Sequence, residues 1–172
     1  MRVYRILRQL YAEQPFNGEG SYRFGGRWSS PGTWVAYSSE HASLAVLDYF
    51  VHLDPTDPPT DLVLAAADVP EQVSCDRVTL LELPVAWRSA PPPPELARIG
   101  DSFIRSAETA MLLVPSALVP DEFNALLNPA HSDFAALRIQ KEVVHTVPHG
   151  KITDIVGDHA VQPAHAVFAG QD

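Results

Sequence analysis

The chain has 172 residues, 46% of them hydrophobic, enough for one domain to bury a core without disulfide or metal staples. Twelve basic against twenty-one acidic side chains give a net charge of −9, which argues against a general attraction to nucleic-acid phosphate. Cys75 is alone, arginines interrupt the apolar start MRVYRILRQL, and no apolar run approaches the roughly 20 residues of a membrane span, so a cytoplasmic protein is expected.

Val3 to Leu7 reads as an opening strand, followed by a loop of small and polar residues from Asn17 to Gly32. Trp34 to Tyr37 is a second strand, and Ser38 or Ser39 is positioned to cap a helix over Glu40 to Leu53. The apolar runs Leu62 to Val69 and Arg77 to Leu81 suit strands. A Pro-rich surface connection covers 84–98, since Pro91 to Pro94 continue neither a helix nor a central strand. Gly100 to Ala110 reads as a helix, Met111 to Val119 as a buried strand broken at Pro115, and Pro120 to Leu127 as a short helix. Strands return between Ala136 and Val147, before a polar tail at 150–172. Short strands mixed with short helices, without regular alternation, indicate an α+β fold built as a single domain over 1–172.

Few residues invite chemistry. Gly25-Gly26-Arg27-Trp28 joins glycines, which allow close backbone approach, to a guanidinium fork suited to phosphate oxygens; a tight turn with a surface arginine explains the same residues. Asp48 is the only acidic residue in the run Ala42 to His52. It shares a helical face with Leu44, Val51 and His52, so its carboxylate lies on or beside the buried stripe and needs a partner or a cleft. Tyr37 offers a ring for stacking and a hydroxyl, or simply core packing. Ser116 is a hydroxyl inside an apolar strand, without the neighbours that would make it a nucleophile. His145 and His149 are separated by Pro148, which argues against a helical metal-ligand pair, and no zinc motif exists. Asn124, Asn128 and His131 read as caps and turn-makers.

In this order the segments resemble the RES family, named for its arginine, glutamate and serine. The resemblance runs over about residues 2 to 140. It is carried by Tyr4-Arg5, the loop Gly25 to Gly32, Tyr37, the helix ending in Val51-His52, Trp87, Ile99-Gly100-Asp101, Val114-Pro115-Ser116 and Leu127-Asn128-Pro129-x-His131. It implies an ADP-ribosyltransferase-like split mixed β-sheet with flanking helices around an NAD cleft, and an intracellular toxin that consumes NAD without a metal. By the same resemblance Arg27 and Gly26 hold the pyrophosphate, with Arg5 as a second phosphate contact. Tyr37 packs on the nicotinamide-ribose end, Ser116 orients the dinucleotide, and Asp48 stands where the family has glutamate. A helix-turn-helix antitoxin that blocks the cleft, and a protein side chain as a possible ADP-ribose acceptor, are implied as well; nucleic acid and membrane are not expected partners. Aspartate withdraws the carboxylate by about 1 Å, a misplacement able to cost roughly a hundredfold in rate. A catalytically impaired module that binds nucleotide or antitoxin without turnover is therefore the alternative reading.

Overall fold

The computed structural model describes residues 1–54, 57 and 59–142. Its strands are β1 (Arg2–Arg8), β2 (Ala36–Ser39), β3 (Leu62–Asp68), β4 (Cys75–Arg77), β5 (Met111–Pro115), β6 (Phe123–Leu127) and β7 (Arg138–Glu142). The helices are α1 (Glu19–Phe24), α2 (Ala42–Phe50) and α3 (Pro94–Ser106). The strands form one mixed sheet in the order β4-β5-β6-β2-β1-β3-β7, parallel only between β4 and β5. Its weak seam lies between β1 and β2. They share the single register pair Tyr4–Ser39, whereas β1 matches β3 along seven residues and β2 matches β6 along four. The sheet is thus two halves joined at one point, in keeping with the expected split α+β architecture.

Strand alternation divides the core. Met111, Leu113, Ala125 and Leu127 bury on one face with Val3, Leu7, Phe16, Ala65 and Ala67. Leu112, Val114 and Leu126 bury on the other with Trp28, Val35, Leu96 and Phe103. Because β5 is covered on both sides, Met111 to Pro115 reads as an unbroken apolar run instead of an alternating one.

Several boundaries differ from expectation for identifiable reasons. Phe123 to Leu127 is a strand where a helix over Pro120 to Leu127 was expected: pairing with β5 on one side and β2 on the other outweighs local helix propensity. Ser38 and Ser39 belong to β2, so neither caps α2; the cap position is His41, without a side-chain cap bond. A six-residue helix, α1, sits inside the expected loop. Helix α3 starts at Pro94, not Gly100, because proline at the first turn needs no N–H partner; it stops at Ser106. Only Cys75–Arg77 pairs near the expected strand Arg77 to Leu81, and Leu80–Glu82 forms a 3-10 turn closed by a Thr79–Glu82 capping box. β2 begins at Ala36 and β7 spans Arg138–Glu142; the rest of the expected C-terminal strand, His145, His149 and the tail lie outside the described residues.

Candidate active site

The loop after α1 is rigid because its backbone bonds to itself and its side chains to the core. Gly25 takes φ +70° while its N–H bonds the Ser21 carbonyl at 2.7 Å, and the Gly26 N–H reaches the Ser29 carbonyl at 2.8 Å. Trp28, 2% exposed, anchors the turn in the core. Tyr37, on β2, closes it from below: its hydroxyl oxygen accepts the Trp28 N–H at 2.9 Å and pairs with Ser29 Oγ at 3.0 Å. A Cβ on Gly26 would stand 2.7 Å from that oxygen, so the ring demands glycine there. Burial pushes the Tyr37 phenol up to about 12, keeping it protonated.

Helix α3 supports the same loop. A Cβ on Gly100 would stand 1.8 Å from the Trp28 carbonyl oxygen, and Asp101 Oδ1 accepts the Ser30 N–H and the Thr33 hydroxyl, each at 2.9 Å. The Ile99-Gly100-Asp101 sequence is therefore a buttress, with glycine permitting approach and aspartate tying the loop down.

Arg27 projects from this frame, half-buried. Its Nη1 donates to the Trp87 carbonyl at 2.7 Å and the Ser89 carbonyl at 3.2 Å, so the guanidinium clasps the Pro-rich connection by one nitrogen. Burial lowers its pKa, and the charge of Asp48 acts the other way. Arg88, in the same connection, donates from Nε to the Ala117 carbonyl at 2.9 Å, beside Ser116.

Asp48 lies on α2, which packs on β1 and β2. Burial raises its carboxyl pKa; hydrogen bonds from Asn124 and Ser39 and the Arg27 charge oppose that rise. One turn further along, His52 has its pKa lowered by burial and by Arg27, which favours the neutral imidazole. Arg27, Tyr37, Asp48 and His52 thus form one electrostatic group.

Arg5 and Ser116 stand outside that group. Strand alternation turns Arg5 to the face opposite Tyr4 and Ser39, where it pairs in register with Ala65. Its Nη1 is buried with no hydrogen-bond partner, and burial depresses its pKa to about 10. Ser116 is fully buried after β5, and its Oγ accepts the N–H groups of Leu118 at 3.2 Å and Val119 at 3.1 Å. It holds the turn between β5 and β6. Asn128 likewise makes a turn through Ala130 N–H, and His131 Nδ1 caps the Ser132–Ala136 turn. Among the described residues no group of three or more His, Cys, Asp or Glu could hold a metal ion.

Asn124 and Ser39 are neighbours of Asp48 that the sequence reading places elsewhere, one as a turn-maker and the other as a cap. The signal that finds them is cross-strand register: they sit opposite each other on β6 and β2.

The RES domain model matches residues 2–153. The chain belongs to the RES family. A RES relative from Photorhabdus laumondii, named Toxin Res, is 36% identical over 134 residues, covering 78% of this chain and 85% of that protein. The Prs ADP-ribosylating toxin of Sphingobium sp. strain YBL2 is 35% identical over 135 residues, covering 77% and 84%. Among solved structures, the Mycobacterium tuberculosis MbcT–MbcA toxin–antitoxin complex contains a chain of the same fold: TM-score 0.67, 17% identity, 83% of each chain. As a RES fold, the curled mixed sheet with three helices places the Arg27 loop, Tyr37 and the Asp48 helix on neighbouring elements.

Proposed function

We propose that this RES protein is the toxin of a bacterial toxin–antitoxin pair and acts on NAD in the cytoplasm, cleaving the bond between nicotinamide and ribose. The convergence of Arg27 and Asp48 beside Tyr37 carries the reading, with relatives named as toxins, one of them ADP-ribosylating, in support. A guanidinium fork suits a pyrophosphate, and Arg27 spends only Nη1 on the connection. Arg5 lies on the opposite sheet face from this group, so Arg27 is the cation that meets the pyrophosphate. In this role Gly26 lets the dinucleotide approach the loop, Tyr37 flanks the nicotinamide ribose, and Ser116 shapes the turn beside the bound nucleotide.

The reaction breaks the C1′–N bond, and the electron pair leaves with nicotinamide. Positive charge develops on the ribose, and an ionised Asp48 stabilises it electrostatically before water, phosphate or a protein side chain attacks C1′ and gives up its proton. The buried tyrosine–tryptophan loop and the Trp87–Ser89 strap exclude bulk water on one side.

The partner is an antitoxin, in keeping with the MbcT–MbcA toxin–antitoxin complex on the same fold, and its toxin-binding part covers the Arg27 side of the molecule in this proposal. The antitoxin carries a helix-turn-helix region in this proposal. Binding of nucleotide or antitoxin without turnover is the second reading, favoured by the short and buried Asp48. Expression in bacteria tests the two: wild-type protein should arrest growth and deplete cellular NAD, Arg27→Ala should do neither, and Asp48→Glu should arrest at least as strongly. Growth arrest with an undiminished NAD pool rejects the NAD-consuming reading.

A further inference from the structure

Two adjoining strands bring polar groups beside Asp48. Ser39 and Asn124 are register partners, so both project from the same sheet face, the one that α2 covers with Asp48. Ser39 Oγ lies 2.8 Å from Asn124 Oδ1 and 3.4 Å from Asp48 Oδ2. A hydroxyl has one hydrogen, and the shorter contact takes it. With its oxygen turned to Ser39, Asn124 directs its NH2 away from that hydroxyl, and its amide favours the charged form of the Asp48 carboxyl, which lies on the same Ser39 Oγ. Ser39, 3% exposed, cannot turn to water and keeps the amide in this orientation.

The carboxyl needs such a donor. Burial and the like charge of Glu122 disfavour its ionised form, while the Asn124 amide and the Arg27 cation favour it. Aspartate also has one torsion fewer than glutamate with which to adjust its aim.

We infer that Asn124 is a positioning residue for Asp48: fixed by Ser39, its amide orients the carboxylate toward the reacting ribose and hydrogen-bonds the charged form. The inference rests on the reading of Asp48 as the ribose-facing carboxylate.

Kinetics of nicotinamide release from NAD test it in wild-type, Asn124→Ala, Asn124→Asp, Ser39→Ala and Asp48→Ala proteins. Asn124→Ala should lower kcat about 10- to 100-fold, the range for losing a hydrogen bond to a charged group. KM should change by less than about threefold. The acid limb of the kcat/KM profile should move to higher pH, because the charged carboxylate loses a donor while Arg27 and Glu122 still act on it. Asn124→Asp should move it further through like charge, and Ser39→Ala should fall between wild type and Asn124→Ala. Mere loss of folded protein would scale the rate without moving the limb.

Wild-type kcat and an unmoved limb in Asn124→Ala, beside an inactive Asp48→Ala, overturn the positioning role and leave the carboxylate reading intact. Full activity in Asp48→Ala overturns the carboxylate reading itself. Carbon-13 NMR of labelled aspartate gives an arm independent of turnover. The Asp48 carboxyl titration should rise in Asn124→Ala and in Ser39→Ala, and an unchanged titration in both overturns the inference.

Discussion

The Tyr37 hydroxyl oxygen lies 2.9 Å from the Trp28 nitrogen, so a strand residue holds the turn that presents Arg27. Tyr37→Phe leaves the Trp28 N–H without its buried acceptor, at a cost of about 1–3 kcal/mol. Gly26→Ala drives a methyl into the same oxygen, which stands 2.7 Å from the new Cβ. The two effects therefore couple: in urea unfolding, Gly26→Ala should cost less in the Tyr37→Phe background than alone, by at least about 0.5 kcal/mol. Additive costs would mean that the loop shifts away from the ring freely.

Gly100→Ala tests the buttress. Its Cβ would overlap the Trp28 carbonyl oxygen at 1.8 Å, a backbone contact no rotamer relieves, so α3 must back away from the loop. Overpacking of this kind costs about 1–3 kcal/mol or more. Thermal unfolding should show a Tm lower by at least about 2–4 °C for a chain of this size.

Arg5→Met should stabilise the ligand-free protein. A buried guanidinium with an unpartnered Nη1 and a pKa depressed to about 10 is disfavoured in its charged form by folding. For a base whose folded pKa is lowered, the penalty is fully present below about 10 and fades as pH rises toward the unfolded value. Calorimetry at neutral pH should find Arg5→Met more stable by about 1 kcal/mol or more.

Asp48 gives the opposite sign of pH dependence from a salt-bridged carboxylate. Its folded pKa is raised, so its contribution to stability is present below the unfolded value and lost as pH climbs through the folded one. Asp48→Asn should therefore be more stable than wild type in urea unfolding at neutral pH. The gap should close as pH falls into the ordinary carboxylate range.

The α+β class, β1, β3, β5 and α2 were legible because each carries its own pattern: continuous apolar runs for buried strands, and a single acid on a helical stripe. β6 was not, since Phe123 to Leu127 becomes a strand only through partners on both sides. Arg27 and Asp48 were legible as unusual residue types in their surroundings. Their convergence was not, because it depends on α2 crossing the β1–β2 seam. Ser39 and Asn124 lie 85 residues apart, and no local pattern joins them. Ser116 was read correctly as a hydrogen-bonding hydroxyl, but its bonds go to the turn at Leu118 and Val119.

Incubation of purified protein with NAD, following free nicotinamide with phosphate and cell extract supplied as acceptor sources, decides whether the protein consumes NAD. The wild-type protein should release nicotinamide well above background, and Arg27→Ala should abolish the release. Background release by folded wild-type protein, or equal release by both, would contradict cleavage of NAD at the Arg27 site.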